Sequence, residues 1–186
     1  MAEINLKGAS LKSSIKFLTE RFGQEKYAEI LAALPVEDQV VIRNMLPHHW
    51  VPARSMVNLM HAAAKTTGQD AKKLAFELGQ YSAEDGLTTL YRLFFKVGSP
   101  EFIIGRAAKV WRNFYDVSDV TLHHIVPGHL NFRVNGMPIK DELVCERIRG
   151  WLFKATVMMG YKPEIVQVKC TTKGDEYCEF AIDWKK

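Results

Sequence analysis

The spacing of apolar residues changes once along this chain, and that change limits what the chain can fold into. Up to residue 116 apolar side chains recur every three or four positions; from Val117 they alternate. Leu11, Ile15, Leu18 and Phe22 mark a first helix that Gly23 stops. Tyr27, Ile30, Leu31 and Leu34 continue the pattern to Pro35, which opens a short helix through Val36, Val40, Val41 and Met45. Pro47 and Pro52 bracket a loop holding His48, His49 and Trp50. Met56, Leu59 and Met60 begin a helix ending near Thr67-Gly68, and a long helical segment runs from Asp70 to Lys96. Ser99-Pro100-Glu101 is a well-formed helix start, leading through Phe102, Val110, Trp111 and Phe114.

The alternating part begins with Val120, Leu122, His124 and Val126, turns at Pro127-Gly128, and returns through Leu130, Phe132 and Val134 to Asn135-Gly136. Ile139 to Met159 reads as one helix, and Glu164 to Trp184 as a closing hairpin. Centring that hairpin on Gly174, with a three-residue Lys173-Gly174-Asp175 loop, sets Cys170 opposite Cys178, Val168 opposite Phe180 and Val166 opposite Ile182. The expected fold is α+β: an N-terminal helical layer followed by a β-β-α-β-β antiparallel sheet. At 186 residues and 47% apolar content the chain reads as a single domain over 1–186, with a helical front (1–116) and a sheet-containing part (117–186).

Three cysteines are an odd number, and no apolar leader follows Met1, which argues for a reducing, cytoplasmic setting. There, gathered cysteines are either a zinc site or small buried hydrophobes. Net charge is +4, but the cations are scattered among nearly as many acids, so nucleic acid is not implied. No apolar run is long enough to span a membrane. Nucleophile elbows, zinc-protease helices, Walker loops and dinucleotide fingerprints are all missing, so the chain does not read as an enzyme.

The stretch from Cys145 to Phe180 resembles the vinyl-reductase-type sensor domain, a small-ligand-binding module. Cys145 with Gly150 five residues on, the Gly174-Asp175 turn, and the pair Cys170 and Cys178 match its signature. The resemblance implies zinc on three cysteines and a glutamate, so Cys145, Cys170 and Cys178 are the metal candidates. Gln167, a poor zinc ligand, stands in the glutamate's place, and a regular strand would turn it away from Cys170. The sequence therefore leans against bound zinc.

The element order, with Ser10-Leu11-Lys12 and Phe17-Leu18 in the first helix, is also similar to the haem-nitric-oxide-binding (H-NOX) domain and, more distantly, to vesicle-tethering TRAPP subunits. The H-NOX resemblance implies haem held by a proximal histidine on a helix and by a Tyr-x-Ser-x-Arg clamp. No histidine lies between Ala62 and Leu122, no such clamp occurs, and the helical His61 comes too early. On these grounds the sequence argues against haem.

Aromatic residues converge from several elements: Tyr91, Phe94 and Phe95 from the long helix, Trp111 and Phe114 from the next, Phe132 and Trp151 from the sheet and its helix. With His124 on the apolar face of its strand, they are the candidate lining of an apolar pocket between helices and sheet, against the alternative of an ordinary aromatic core. The expected function is a stand-alone sensory domain that holds a hydrophobic small molecule. It would act through a signalling partner or as a homodimer joined by the Leu11, Ile15, Leu18 face. The alternatives are a TRAPP-like assembly module with an acyl-chain pocket and a tetrapyrrole-binding, vinyl-reductase-related protein.

Overall fold

A computed structural model describes residues 4–90, 100–137 and 139–186. The helical layer consists of α1 (Gly8–Ala32), α2 (Val36–Asn44), α3 (Ala53–Thr67), α4 (Ala71–Leu90) and α5 (Pro100–Val110). A small sheet joins β1 (Asn5–Lys7) to β2 (Trp50–Pro52). The main sheet contains β3 (Asp119–Val126), β4 (His129–Asn135), β5 (Lys162–Lys169) and β6 (Cys178–Lys185), with α6 (Glu142–Met158) between its two hairpins. Its order is β3-β4-β6-β5, antiparallel throughout. This is the α+β architecture that the change of period predicts.

Local chemistry sets most boundaries. Gly23 takes φ +83°, a conformation that side chains with a Cβ rarely adopt, and breaks α1 internally. Asp70 and Asp141 cap α4 and α6, their carboxylates accepting the Lys73 and Leu143 N–H groups at 2.8 Å. The buried Asp38 ties α2 to α3 by accepting from Ser55 and Asn58, both at 2.6 Å.

Two apolar cores result, and α6 serves both. Leu11, Leu18, Leu59, Met60, Leu74 and Leu143 belong to the helical core; Phe132, Cys145, Leu152, Phe180 and Ile182 belong to the core on the inner face of the sheet. The face of α1 expected to join two copies is spent here, since Leu11 and Leu18 are completely buried within the chain itself.

The closing hairpin departs from its expected register. Ile165 faces Ile182 and Gln167 faces Phe180, and the register then shifts before Lys169 pairs with Glu179. A bulge at Val168 lets both strands deliver a cysteine to the inner face while Val166 and Val168, each 51% exposed, point outward. The connection is also longer than three residues: a 3₁₀ turn over Thr171–Lys173 precedes Gly174 at φ +98°. A second irregularity interrupts β3 between His123 and Val126, where His124 takes φ +49° and turns out to solvent. Trp50, expected in a loop, lies in β2, a strand of three residues that is too short to show alternation.

The α4 and α6 backbones approach each other closely at two glycines. A Cβ on Gly79 would fall on the carbonyl oxygen of Arg147, and one on Gly150 on the carbonyl oxygen of Phe76. Neither backbone oxygen can swing aside as a side-chain tip can. Gly79→Ala and Gly150→Ala should each lower unfolding free energy by about 2 kcal/mol or more, at the upper part of the overpacking range. Gly86→Ala, in the same helix with open space around it, should raise it by up to about 1 kcal/mol through helix propensity. Urea unfolding followed by circular dichroism checks all three; equal effects would refute the close crossing.

Candidate functional site

Among the described residues two arrangements have functional character, and both are built on α6. The first is a cavity of about 20 Å³ where β1, α3 and α6 meet. Met56 and Met60 reach it from successive turns of α3, and Val144 and Arg147 from successive turns of α6. Leu6, held at the centre of β1 by pairing with Val51 and bridging to Tyr115, closes one side together with Tyr115. The walls are mostly apolar, with Arg147 and Tyr115 the residues that carry polar groups. A space of this size holds one small group, and its two methionines are side chains that repack readily.

The second arrangement is a thiol trio. Cys145 from α6, Cys170 from the end of β5 and Cys178 from the start of β6 are all buried. The Cys145 sulfur lies 3.9 Å from that of Cys170 and 3.7 Å from that of Cys178. Sulfurs on a tetrahedral zinc are about 3.8 Å apart when the metal–sulfur distance is about 2.3 Å, so three thiolates here could hold a thiophilic ion. No histidine or carboxylate joins the group among the described residues. Gln167 does lie toward the group, on the face it shares with the buried Ile165, and the bulge beyond it brings Cys170 round to that face; its amide donates to the Lys169 carbonyl at 3.1 Å. The expectation that the strand would aim it elsewhere is corrected on this point.

Within the trio the protons are unequally shared. Hydrogen bonding from Cys145 holds Cys178 below the ordinary thiol range, to about 6, against the opposing effect of burial; the Thr171 backbone N–H and hydroxyl and the Cys170 thiol add to it. As the donor, Cys145 is pushed up, first by that bond and then by burial and the neighbouring charge.

The aromatic set expected to line a pocket is placed differently. Tyr91, Phe94 and Phe95 lie outside the described residues. Trp111 donates its indole N–H to Ser118 at 2.8 Å, stacks on Tyr115 and meets Phe132 edge-on. Phe132 is fully buried in the sheet core, Trp151 packs beside Ala83 and Ala155, and Phe114 and His124 are exposed. None of these five touches the cavity. Of the residues that do, Met56, Met60, Ile139 and Val144 were legible as core positions of their helices through their spacing, while Leu6, Tyr115 and Arg147 carried no such signal.

All six histidines are described and none is buried. His61 pairs with Asp141 and His129 with Asp183 at the surface, His123 meets Thr121, and His48 and His49 stack edge to face.

Comparison with known proteins gives a consistent answer. A family profile described as "Haem-NO-binding" matches residues 7–104, just over half of the chain. No curated protein matches the sequence significantly. The fold resembles an H-NOX protein from S. oneidensis in the Fe(II)NO state, with a TM-score of 0.78 and 13% identity, covering 97% of this chain and 100% of that one. A mutant of the unliganded Fe(II) H-NOX protein from K. algicida gives 0.76 and 13%, covering 97% of each chain. An oxygen-binding H-NOX domain related to soluble guanylate cyclases, in its oxygen complex, gives 0.71 and 11%, covering 97% and 96%. Of the sequence resemblances, these comparisons bear out the H-NOX one and lend no support to the vinyl-reductase one.

The shared proton sets a pH signature for metal-free protein. Cys178 is depressed in the fold, so its contribution to stability is present above the unfolded thiol range and is lost as pH falls toward about 6. Cys145 is raised, so its contribution is lost as pH climbs above the ordinary thiol range. Stability from this pair should therefore rise from pH 6 to about 8.5 and decline beyond. Thiolate absorbance at 240 nm should persist down to about pH 6 and shift toward the ordinary thiol range in Cys145→Ala. An unchanged titration in that variant would refute the assignment.

Proposed function

The chain belongs to the haem-NO-binding family, and from that membership we propose that it is a sensory domain: a small molecule enters the cavity between β1, α3 and α6, and its presence is passed to a partner protein or a second copy. Membership also corrects the expectation drawn from the motifs. Haem binding is what the family is named for, so the departures noted in the sequence do not set the chain apart from a haem-binding lineage. The described residues do not themselves supply an imidazole to a buried iron, since every histidine lies at or near the surface and none lines the cavity.

The observation that carries the reading is the position of the cavity. It sits at the seam between the helical core and α6, a helix that also packs on the main sheet. A molecule held there touches both halves of the fold at once, which a sensor needs if binding is to be felt elsewhere. Its apolar walls favour a small molecule with an apolar body.

Native mass spectrometry of protein purified under gentle conditions tests this. The expected result is a small non-covalent mass on the folded chain, lost in Met60→Trp, whose larger ring fills the cavity. Near-native circular dichroism of the variant separates lost binding from lost folding. A bare chain mass, together with no thermal stabilisation by small apolar compounds, would overturn the reading.

A further inference from the structure

Three properties of the thiol trio together narrow its ligand. Its sulfurs are out of water: Cys145, Cys170 and Cys178 are 2%, 3% and 0% exposed, in the core that also holds Ile148, Leu152, Ile165 and Phe180. They converge, all within 4.8 Å of one another, with Cys145 at 3.9 and 3.7 Å from its two neighbours. Among the described residues no histidine or carboxylate completes the group. Gln167 offers a neutral amide whose nitrogen is tied to the Lys169 carbonyl at 3.1 Å, and the Asp175 carboxylate accepts the Cys170 backbone N–H at 2.7 Å. The turn between the hairpin cysteines fixes their sulfurs further. The Thr171 N–H donates to Cys178 at 3.3 Å, and the Thr172 hydroxyl lies 2.9 Å from the Cys170 sulfur.

A divalent ion answers these properties badly. Zinc on three thiolates keeps a net negative charge in an apolar core and asks for a fourth ligand, and monovalent copper on the same three would keep a larger charge. We propose that the trio is instead a site for trivalent arsenic, taken up as neutral arsenous acid. Trivalent arsenic makes three bonds and fills the remaining direction with its lone pair, so it needs nothing beyond the three sulfurs. The exchange balances: three S–H and three arsenic–oxygen bonds break, three arsenic–sulfur bonds form, and three waters leave, with arsenic trivalent throughout. The product carries no charge, which suits burial, and sulfur is the donor that soft ions select. An arsenic–sulfur bond is close in length to a zinc–sulfur bond of about 2.3 Å, so the trio needs only a slight closing. Cys170 and Cys178 lie at the two ends of a turn whose Lys173, Gly174, Asp175 and Glu176 are exposed, so opening that turn uncovers two of the sulfurs. The site is separate from the cavity and stands whether or not the cavity holds a ligand.

The test adds sodium arsenite to the full chain, with and without stoichiometric zinc chloride. Native mass spectrometry should show one arsenic per chain, at a mass that counts three protons lost and no hydroxyl retained. The melting temperature should rise saturably, and zinc should not block the adduct. In Cys145→Ser that keeps native circular dichroism, half-saturation should need at least about tenfold more arsenite, because only two arsenic–sulfur bonds remain, and the adduct should keep a hydroxyl. Gln167→Glu, which supplies a carboxylate on the face of the trio, should strengthen zinc retention and leave arsenite binding unchanged. On the unaltered chain alone, no adduct, an adduct that retains a hydroxyl, or zinc that excludes arsenite would each overturn the proposal, whatever the variants do. Equal affinity in folded Cys145→Ser, or a Gln167→Glu chain whose zinc and arsenite binding shift alike, would do the same.

Discussion

The crossing of α4 over α6 is the constraint on which the rest of the molecule depends. Two glycines, Gly79 and Gly150, bring the helix backbones closer than any side chain would permit. Because α6 is pinned there, its remaining faces are committed. One turns Leu143 into the helical core, another turns Cys145, Ile148 and Leu152 onto the sheet, and Arg147 is carried into the seam between them. Moving the crossing outward by a methyl group would displace both the cavity wall and the thiol trio, since they lie within one turn of each other.

Much of the fold was legible because its signals are local. The switch of apolar period separates helices from strands, Gly23 and Pro35 punctuate the first helices, and Pro127-Gly128 marks a turn. What escaped were features decided by neighbours far away in sequence. Val166-Gln167-Val168 reads equally well in two registers, and only the need to bring Cys170 inward beside Cys145 selects the bulged one. β2 exists because β1 lies beside it. Nothing in Leu143-Val144-Cys145-Glu146-Arg147 indicates that its arginine is buried, with only the Ser82 hydroxyl on one terminal nitrogen and none on Nε, because on a helix an arginine is ordinarily a solvated residue.

The site was legible in part for the same reason. Three cysteines spread over two elements suggested a cluster, and hairpin logic brought two together even with the register off by one. Aromatic convergence was a poorer guide. Large rings fill cores as readily as they line pockets, and Trp111 and Phe132 do the former. The cavity formed instead where a three-residue strand, two methionines and a helix leave a gap between packed layers.

That α6 takes part in two cores has a thermodynamic corollary. Val144 and Arg147 face the cavity while Cys145 shares a proton with Cys178, all on one rigid rod. A cavity occupant that shifted the rod would bear on the free energy of proton, metal or oxidant binding at the sulfurs. By reciprocity, a change at the sulfurs would alter the affinity of the cavity by the same factor. Two chemically unlike inputs, one in the cavity and one at the thiols, would then act on a single mechanical degree of freedom, and the helix would report their sum.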